Sequence, residues 1–85
     1  MKLQIFAVFD VKAEVYSSPS FLPNRGLALR SLSDIVADPS TGISQHPEDY
    51  SLYKLGEFDN VSGVITPVSG VPELIARASE FKKEV

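Results

Sequence analysis

The fold is decided by residues 2–12, which read KLQIFAVFDVK. Their odd-numbered positions are all apolar and alternate at the period of two that places them on one face of a β-strand. The other face is partly apolar as well, since Phe6 and Val8 stand between Gln4 and Asp10. A strand with apolar side chains on both faces needs cover on both faces, and two short helices do not suffice for that. The stretch therefore predicts a sheet through which the chain self-associates as a homodimer.

The middle of the chain predicts a long helix that follows a loop. Residues 17–23 contain two prolines and three serines, which favour a loop that tucks Phe21 and Leu22 onto the core. Residues 25–37 repeat apolar side chains at helical spacing, with Asn24 as the N-cap. The apolar stripe of this helix consists of Leu27, Leu29, Leu32, Ile35 and Val36.

The second half predicts a hairpin and then a second helix. Residues 39–47 form a loop, 50–59 a strand with a possible bulge at Gly56, 60–63 a turn and 64–66 the returning strand. Pro72 and Glu73 suit the first turn of a helix. Its inward-facing residues are Leu74, Ile75, Ala78 and Phe81, with Lys82 and Lys83 in its last turn.

These elements follow the order β-α-β-β-α, which predicts a small α+β fold with an antiparallel-rich sheet and two helices. At 85 residues we expect a single domain, residues 1–85. The absence of cysteine excludes disulfides and thiolate metal sites. No apolar run is long enough for a membrane span, and Gln4 and Asp10 interrupt the apolar start, unlike a signal peptide. We expect a cytosolic protein with no membrane partner.

Three residues near the middle, His46, Glu48 and Asp49, raise the question of a metal site. One histidine with two loosely spaced acids falls short of the converging ligands that divalent metals require. We interpret the segment as a turn fixed by Pro47 and expect no metal. No serine stands in a nucleophile motif and the glycines are scattered, so we expect neither an enzyme nor a cofactor.

Nucleic-acid binding is the remaining chemistry to weigh, although the net charge of -3 argues against binding by bulk charge. Single-strand binders combine cations with aromatic stacking platforms. Lys12 and Lys54 are the strand cations near such aromatics, with Tyr50 and Tyr53 as candidate platforms. Period two places Tyr50, Leu52, Lys54 and Phe58 on one face and Tyr53 and Leu55 on the other.

Those residues also have an ordinary structural interpretation. Aromatic side chains on strands usually pack in a core or an interface, with solvated lysines beside them. Arg25 and Arg30 on the predicted helix are further candidates for binding nucleic acid, yet Arg30 and Asp34 have the i, i+4 spacing of a surface ion pair.

Three motifs of the chain carry a resemblance to a known family. They are Phe9-Asp10-x-Lys12-Ala13-x-x-Tyr16, Ala28-x-Arg30-x-Leu32-x-Asp34 and, most specifically, His46-Pro47-Glu48-Asp49-Tyr50-x-Leu52-Tyr53-x-Leu55-Gly56-Glu57-Phe58-Asp59. In these motifs the chain resembles the small non-structural protein of gokushovirus-type microviruses, which are bacteriophages with circular single-stranded DNA. The likeness covers nearly the whole chain.

The resemblance implies a role in the cytoplasm of an infected bacterium. Proteins of that family are labelled DNA-binding and are likened to the microvirus protein that shifts genome synthesis from replication toward packaging. The resemblance therefore implies that the partners of this chain are single-stranded DNA, the replication initiator or the procapsid. Two hypotheses follow: an accessory protein that binds single-stranded DNA, or a protein-interaction module that docks on the initiator or procapsid without touching DNA.

Overall fold

The structure is a computed structural model that describes residues 1–82. It has an α+β fold with an antiparallel sheet, as predicted. The strands are β1 (Lys2–Asp10), β2 (Val15–Tyr16), β3 (Ser20–Leu22), β4 (Tyr50–Asp59), β5 (Ile65–Pro67) and β6 (Glu73–Arg77). The helices are α1 (Arg25–Ala37) and α2 (Gly42–Gln45), and single 3₁₀ turns cover Pro47–Asp49 and Ala78–Phe81.

The six strands occupy four rows. β1 and β4 pair along their whole lengths at the centre of the sheet. β2 and β3 share the outer side of β1, and β5 and β6 share the outer side of β4. Each outer row is thus a strand broken in two, with prolines at or beside the breaks and ends: Pro19, Pro23, Pro67 and Pro72. Short, proline-flanked edges discourage pairing with further strands.

A β-bulge divides the central pair of strands. Ile5 pairs with Gly56 and Phe6 with Lys54, so that Leu55 is the extra residue. The sequence predicted a bulge at the neighbouring Gly56. The bulge shifts the alternation of β4 by one residue, and the prediction that Phe58 shares a face with Lys54 is therefore wrong.

Helix α1 covers one face of the sheet, and its predicted bounds and cap are confirmed. Asn24 Oδ1 accepts a hydrogen bond from the Leu27 N–H at 3.0 Å, which satisfies one of the free donors at the helix start. The core lies between this helix and the sheet. Its buried members are Phe6, Ala28, Leu32, Val36, Leu52, Ala76 and Ala78.

The helix predicted from Pro72 is wrong. Residues 73–77 form β6, which pairs with the outer edge of β4, and only Ala78–Phe81 make a single 3₁₀ turn. Pairing with a free strand edge satisfies the backbone and buries Ala76 beside Leu52, which outweighs a modest helical preference. Ala78 and Phe81 still pack inward as predicted, Leu74 is exposed, and Lys83 lies outside the described residues.

Two predicted loops contain regular structure. Ser20–Leu22 is β3, and pairing with β1 turns Leu22 to the core while Phe21 remains 43% exposed rather than tucked in. Helix α2 lies within the loop predicted for residues 39–47. Thr41 caps it by accepting a hydrogen bond from the Ser44 N–H at 3.1 Å.

Candidate nucleic-acid interface

The sheet has a second face, which we call the open face. Among residues 1–82, both helices and the 3₁₀ turn Ala78–Phe81 pack against the opposite face, where the core lies. The register of the strand pairs assigns its members: Leu3, Ile5, Ala7, Phe9, Tyr16, Phe21, Ser51, Tyr53, Gly56, Phe58, Ile65, Pro67, Leu74 and Arg77. The apolar second face expected from residues 2–12 therefore exists.

One end of the open face carries a cluster of three aromatic rings, the aromatic platform, formed by Phe9, Tyr16 and Tyr53. The ring centroids of Phe9 and Tyr16 are 4.8 Å apart, and those of Tyr16 and Tyr53 are 5.7 Å apart in a T-shaped contact. Phe9 and Tyr53 make an edge contact at 6.4 Å. Phe9 and Tyr53 are half-buried and Tyr16 is 42% exposed, so the platform offers ring surface to solvent.

Two cations border the aromatic platform. Arg77 pairs with Ser51, which pairs in turn with Phe9, so Arg77 stands two strands from Phe9, about 10 Å away by strand spacing. Lys12 lies in the turn that joins the strands of Phe9 and Tyr16. Both are exposed. The platform thus has the aromatic and cationic groups that single-strand binders combine.

Charge is divided unequally between the two faces of the sheet. The paired positions of the open face carry no carboxylate within residues 1–82, and Arg77 is their one charged residue. The helix side of the same strands carries four carboxylates, those of Asp10, Glu57, Asp59 and Glu73. The paired positions of the open face thus carry no negative charge, and the carboxylate beside them is that of Glu80, which accepts a hydrogen bond from the Arg77 N–H at 2.6 Å.

The structure separates Tyr53 from two of the residues proposed with it. Lys54 lies on the helix side, its side chain is 16% exposed, and its Nζ is 3.9 Å from a Glu57 carboxylate oxygen. Tyr50 also lies on that side, packed against the core. Partial burial raises the pKa of the Tyr50 hydroxyl, and the negative charges of Asp10 and Asp49 add to the rise.

The two arginines proposed as contacts both lie on α1. Arg25 Nη2 donates to Glu73 Oε2 at 2.7 Å and ties the start of α1 to β6. Arg30 is exposed on the same helix. Of the six proposed residues, only Tyr53 and Lys12 therefore lie on or beside the open face.

Sequence reasoning missed Phe9, Tyr16 and Arg77 as members of this surface. Phe9 and Tyr16 were visible only as apolar or motif residues, because their contact depends on the turn at residues 11–14. Asp10 shapes that turn: its Oδ1 accepts hydrogen bonds from the N–H groups of Lys12 and Ala13, at 3.0 and 3.2 Å. Arg77 was missed because the sequence predicted a helix from Pro72, whereas the residue lies on strand β6 of the sheet.

The turn at residues 46–49 places potential ligand atoms of His46, Glu48 and Asp49 within 4.8 Å of one another. His46 and Glu48 are exposed, and such groupings of surface acids are common without an ion. The turn is joined to the first hairpin by a hydrogen bond from the Val11 N–H to the Asp49 carbonyl, at 2.9 Å. The interpretation as a structural turn agrees with this contact.

A cleft of about 140 Å³ opens between α1 and β1. It is lined mainly by core side chains such as Phe6, Leu32 and Leu52, with Ser17, Ser20 and Ser31 at its edge. Its size suits a few water molecules better than the 300 Å³ or more, roughly, of a typical ligand pocket.

Comparison with known proteins gives the family. A family model described as phage ORF5 protein matches residues 3–81. The chain therefore belongs to the phage ORF5 protein family, and it is a small bacteriophage protein. No curated protein and no solved structure matches it. None of the helices within residues 1–82 is long and apolar enough to cross a membrane.

Proposed function

We propose that this phage protein is a non-catalytic accessory protein that binds single-stranded DNA through the aromatic platform and so helps to regulate viral DNA replication and packaging. The observation that carries the proposal is the partly exposed cluster of Phe9, Tyr16 and Tyr53, with Arg77 and Lys12 at its border. Its place of action is the cytoplasm of the host bacterium.

The platform favours a single strand over a duplex. Every base has an aromatic face that stacks on Phe or Tyr, and in a duplex these faces are occupied by neighbouring bases. Of the three rings, Tyr16 is the one that offers an exposed face, and a base stacked on it contributes about 1–3 kcal/mol. Arg77 and Lys12 then meet the phosphates, and the absence of carboxylates at the paired positions avoids repulsion.

A titration of fluorescein-labelled oligothymidylate with the protein at low salt tests the proposal by anisotropy. We expect saturable binding that weakens as salt rises, because displaced counterions oppose binding, and weaker binding of a blunt duplex of equal length. Flat anisotropy across the titration contradicts the proposal. Equal affinity for single strand and duplex contradicts base stacking.

A second candidate function rests on the other end of the open face. Leu3, Phe21, Phe58 and Ile65 present an apolar surface there with no cation at its paired positions, and Phe21 and Phe58 meet edge to face at 5.6 Å. This end favours a protein-interaction module that docks on the replication initiator or procapsid. Co-purification with either viral protein after nuclease treatment tests it, and recovery of the chain without them contradicts it.

A further inference from the structure

The open face is an apolar surface that none of the helices within residues 1–82 covers. At the centre of the open face, Ile5 and Ala7 are buried by neighbouring side chains of the same face and are only 5% and 3% exposed. Its rim is exposed: Tyr16, Phe21, Leu74 and Ile65 keep between 41% and 60% of their surface in solvent.

The extent of this face can be compared with what a dimer needs. Nine residues of β1 and four rows of strands span roughly 30 by 17 Å, or about 500 Å². This is the footprint of the whole sheet, and the largest apolar patches on ordinary monomers cover about 300–600 Å². Two such faces in contact bury about 1,000 Å², the lower limit for a specific protein–protein interface. The area suits a reversible dimer.

The charges favour a second copy of the chain as the occupant. A self-paired face must not bring like charges together, and the paired positions of this face carry only Arg77, at one end. In a two-fold sandwich the two Arg77 side chains stay apart at the hydrated border, because each stands on an outer row of its own sheet. Two sheets about 10 Å apart leave room for interleaved rings.

We propose that a second copy of the chain covers the open face in the free protein, and that single-stranded DNA and this second copy exclude each other. The exclusion follows because the aromatic platform is part of the dimer interface. This exclusion rests on the proposed function; the dimer itself does not. Binding of DNA then becomes sensitive to protein concentration, since every dimer must open before its platforms are free.

Sedimentation velocity over a wide range of protein concentration tests the dimer, using wild type, Ile65→Glu and Val61→Glu. Ile65 lies on the open face away from the platform, whereas Val61 is 84% exposed in the turn that follows β4. Both variants add the same charge. We expect wild type and Val61→Glu to approach twice the 9.3 kDa chain mass as concentration rises, and Ile65→Glu to stay a monomer.

Oligothymidylate added to the dimer then tests the exclusion. We expect the sedimenting species to become one chain per oligonucleotide. A wild-type monomer at all concentrations, or a dimer that survives Ile65→Glu, overturns the interface. A complex of DNA with the intact dimer overturns the exclusion alone. A dimer that never binds DNA leaves the interface standing and refutes the proposed function, so the two failures are distinguishable.

Discussion

Phe9 and Tyr16 face each other across the first hairpin with ring centroids 4.8 Å apart, on the side of the sheet that α1 does not cover. Six residues lie between them in the chain, and four of these form a turn organised by Asp10. The pair therefore combines a structural role, the closure of the hairpin, with an exposed ring that can receive a base. Substitutions that remove one role and keep the other can separate the two.

Replacing Tyr16 by alanine should weaken binding of single-stranded DNA, because it removes the most exposed ring of the platform. The stacking of one base, about 1–3 kcal/mol, corresponds to roughly 5- to 150-fold in affinity. Tyr16→Phe keeps the ring and should bind within about twofold of wild type. Anisotropy titrations measure both. An alanine variant that folds normally and binds as tightly as wild type would remove Tyr16 from the site.

Replacing Arg77 by glutamine should lower both the affinity and its salt dependence. Removing the neutralisation of one phosphate on a single strand makes the slope of log affinity against log salt shallower by about 0.7. Arg30→Gln is the matched control, because it removes the same charge from the exposed surface of α1. If the two variants change the slope equally, net charge alone explains binding, and Arg77 does not touch a phosphate specifically.

Gly56→Ala should destabilise the fold through a backbone clash. A Cβ at this position would overlap the Thr66 carbonyl oxygen of β5. Forcing the two strands apart should cost about 1–3 kcal/mol, as overpacking in a core does. Gly42→Ala is the control, since its Cβ would stand 3.5 Å from the Tyr50 hydroxyl, an ordinary contact. Urea unfolding compares them; equal midpoints would refute the close approach at Gly56.

The acid stability of the protein should depend on Asp59. The N–H groups of Val61 and Ser62 donate to its Oδ1 at 2.9 and 3.4 Å, and these bonds hold the pKa of Asp59 below its ordinary value of 3.8. A carboxyl whose pKa is lowered by folding stabilises the native state above its unfolded pKa, and that contribution is lost as pH falls through the folded pKa.

Asp59→Asn keeps an oxygen acceptor in this turn but does not titrate. Its free energy of unfolding should therefore decline less steeply than that of wild type as pH falls below about 4. Asp34→Asn removes one carboxylate from the exposed surface of α1 and controls for net charge. Urea titrations at several pH values measure the slopes. Identical acid slopes for wild type and Asp59→Asn would contradict the role assigned to the turn.

The parts of the fold that could be predicted from sequence are those in which local pattern and packing agree. Helix α1 has an apolar stripe and a side-chain cap at Asn24, so its bounds follow directly. At residues 73–77, by contrast, the local sequence pattern and the packing in the fold point to different structures. These five residues fit a helix equally well, and only the free edge of β4 decides between the two.

The candidate site was predictable only in part, because its members are brought together by strand pairing and not by local sequence pattern. Tyr53 was recognised as a strand aromatic, but one extra residue at Leu55 decides that Phe58 joins its face and Lys54 does not. A one-residue bulge leaves little trace in the sequence apart from Gly56 beside it. Arg77 and Phe9 come together only through pairing of β1, β4 and β6, which local periodicity does not encode.

The most direct test of DNA binding by the aromatic platform uses the three tyrosines, two of which lie on the open face and one on the helix side. Ring signals of Tyr16, Tyr50 and Tyr53 are followed by NMR while a short oligothymidylate is added at low salt to Ile65→Glu, the variant designed to stay monomeric. We predict saturable shifts at Tyr16 and Tyr53 and none at Tyr50. Unchanged spectra, or shifts confined to Tyr50 and α1, would contradict binding at the platform.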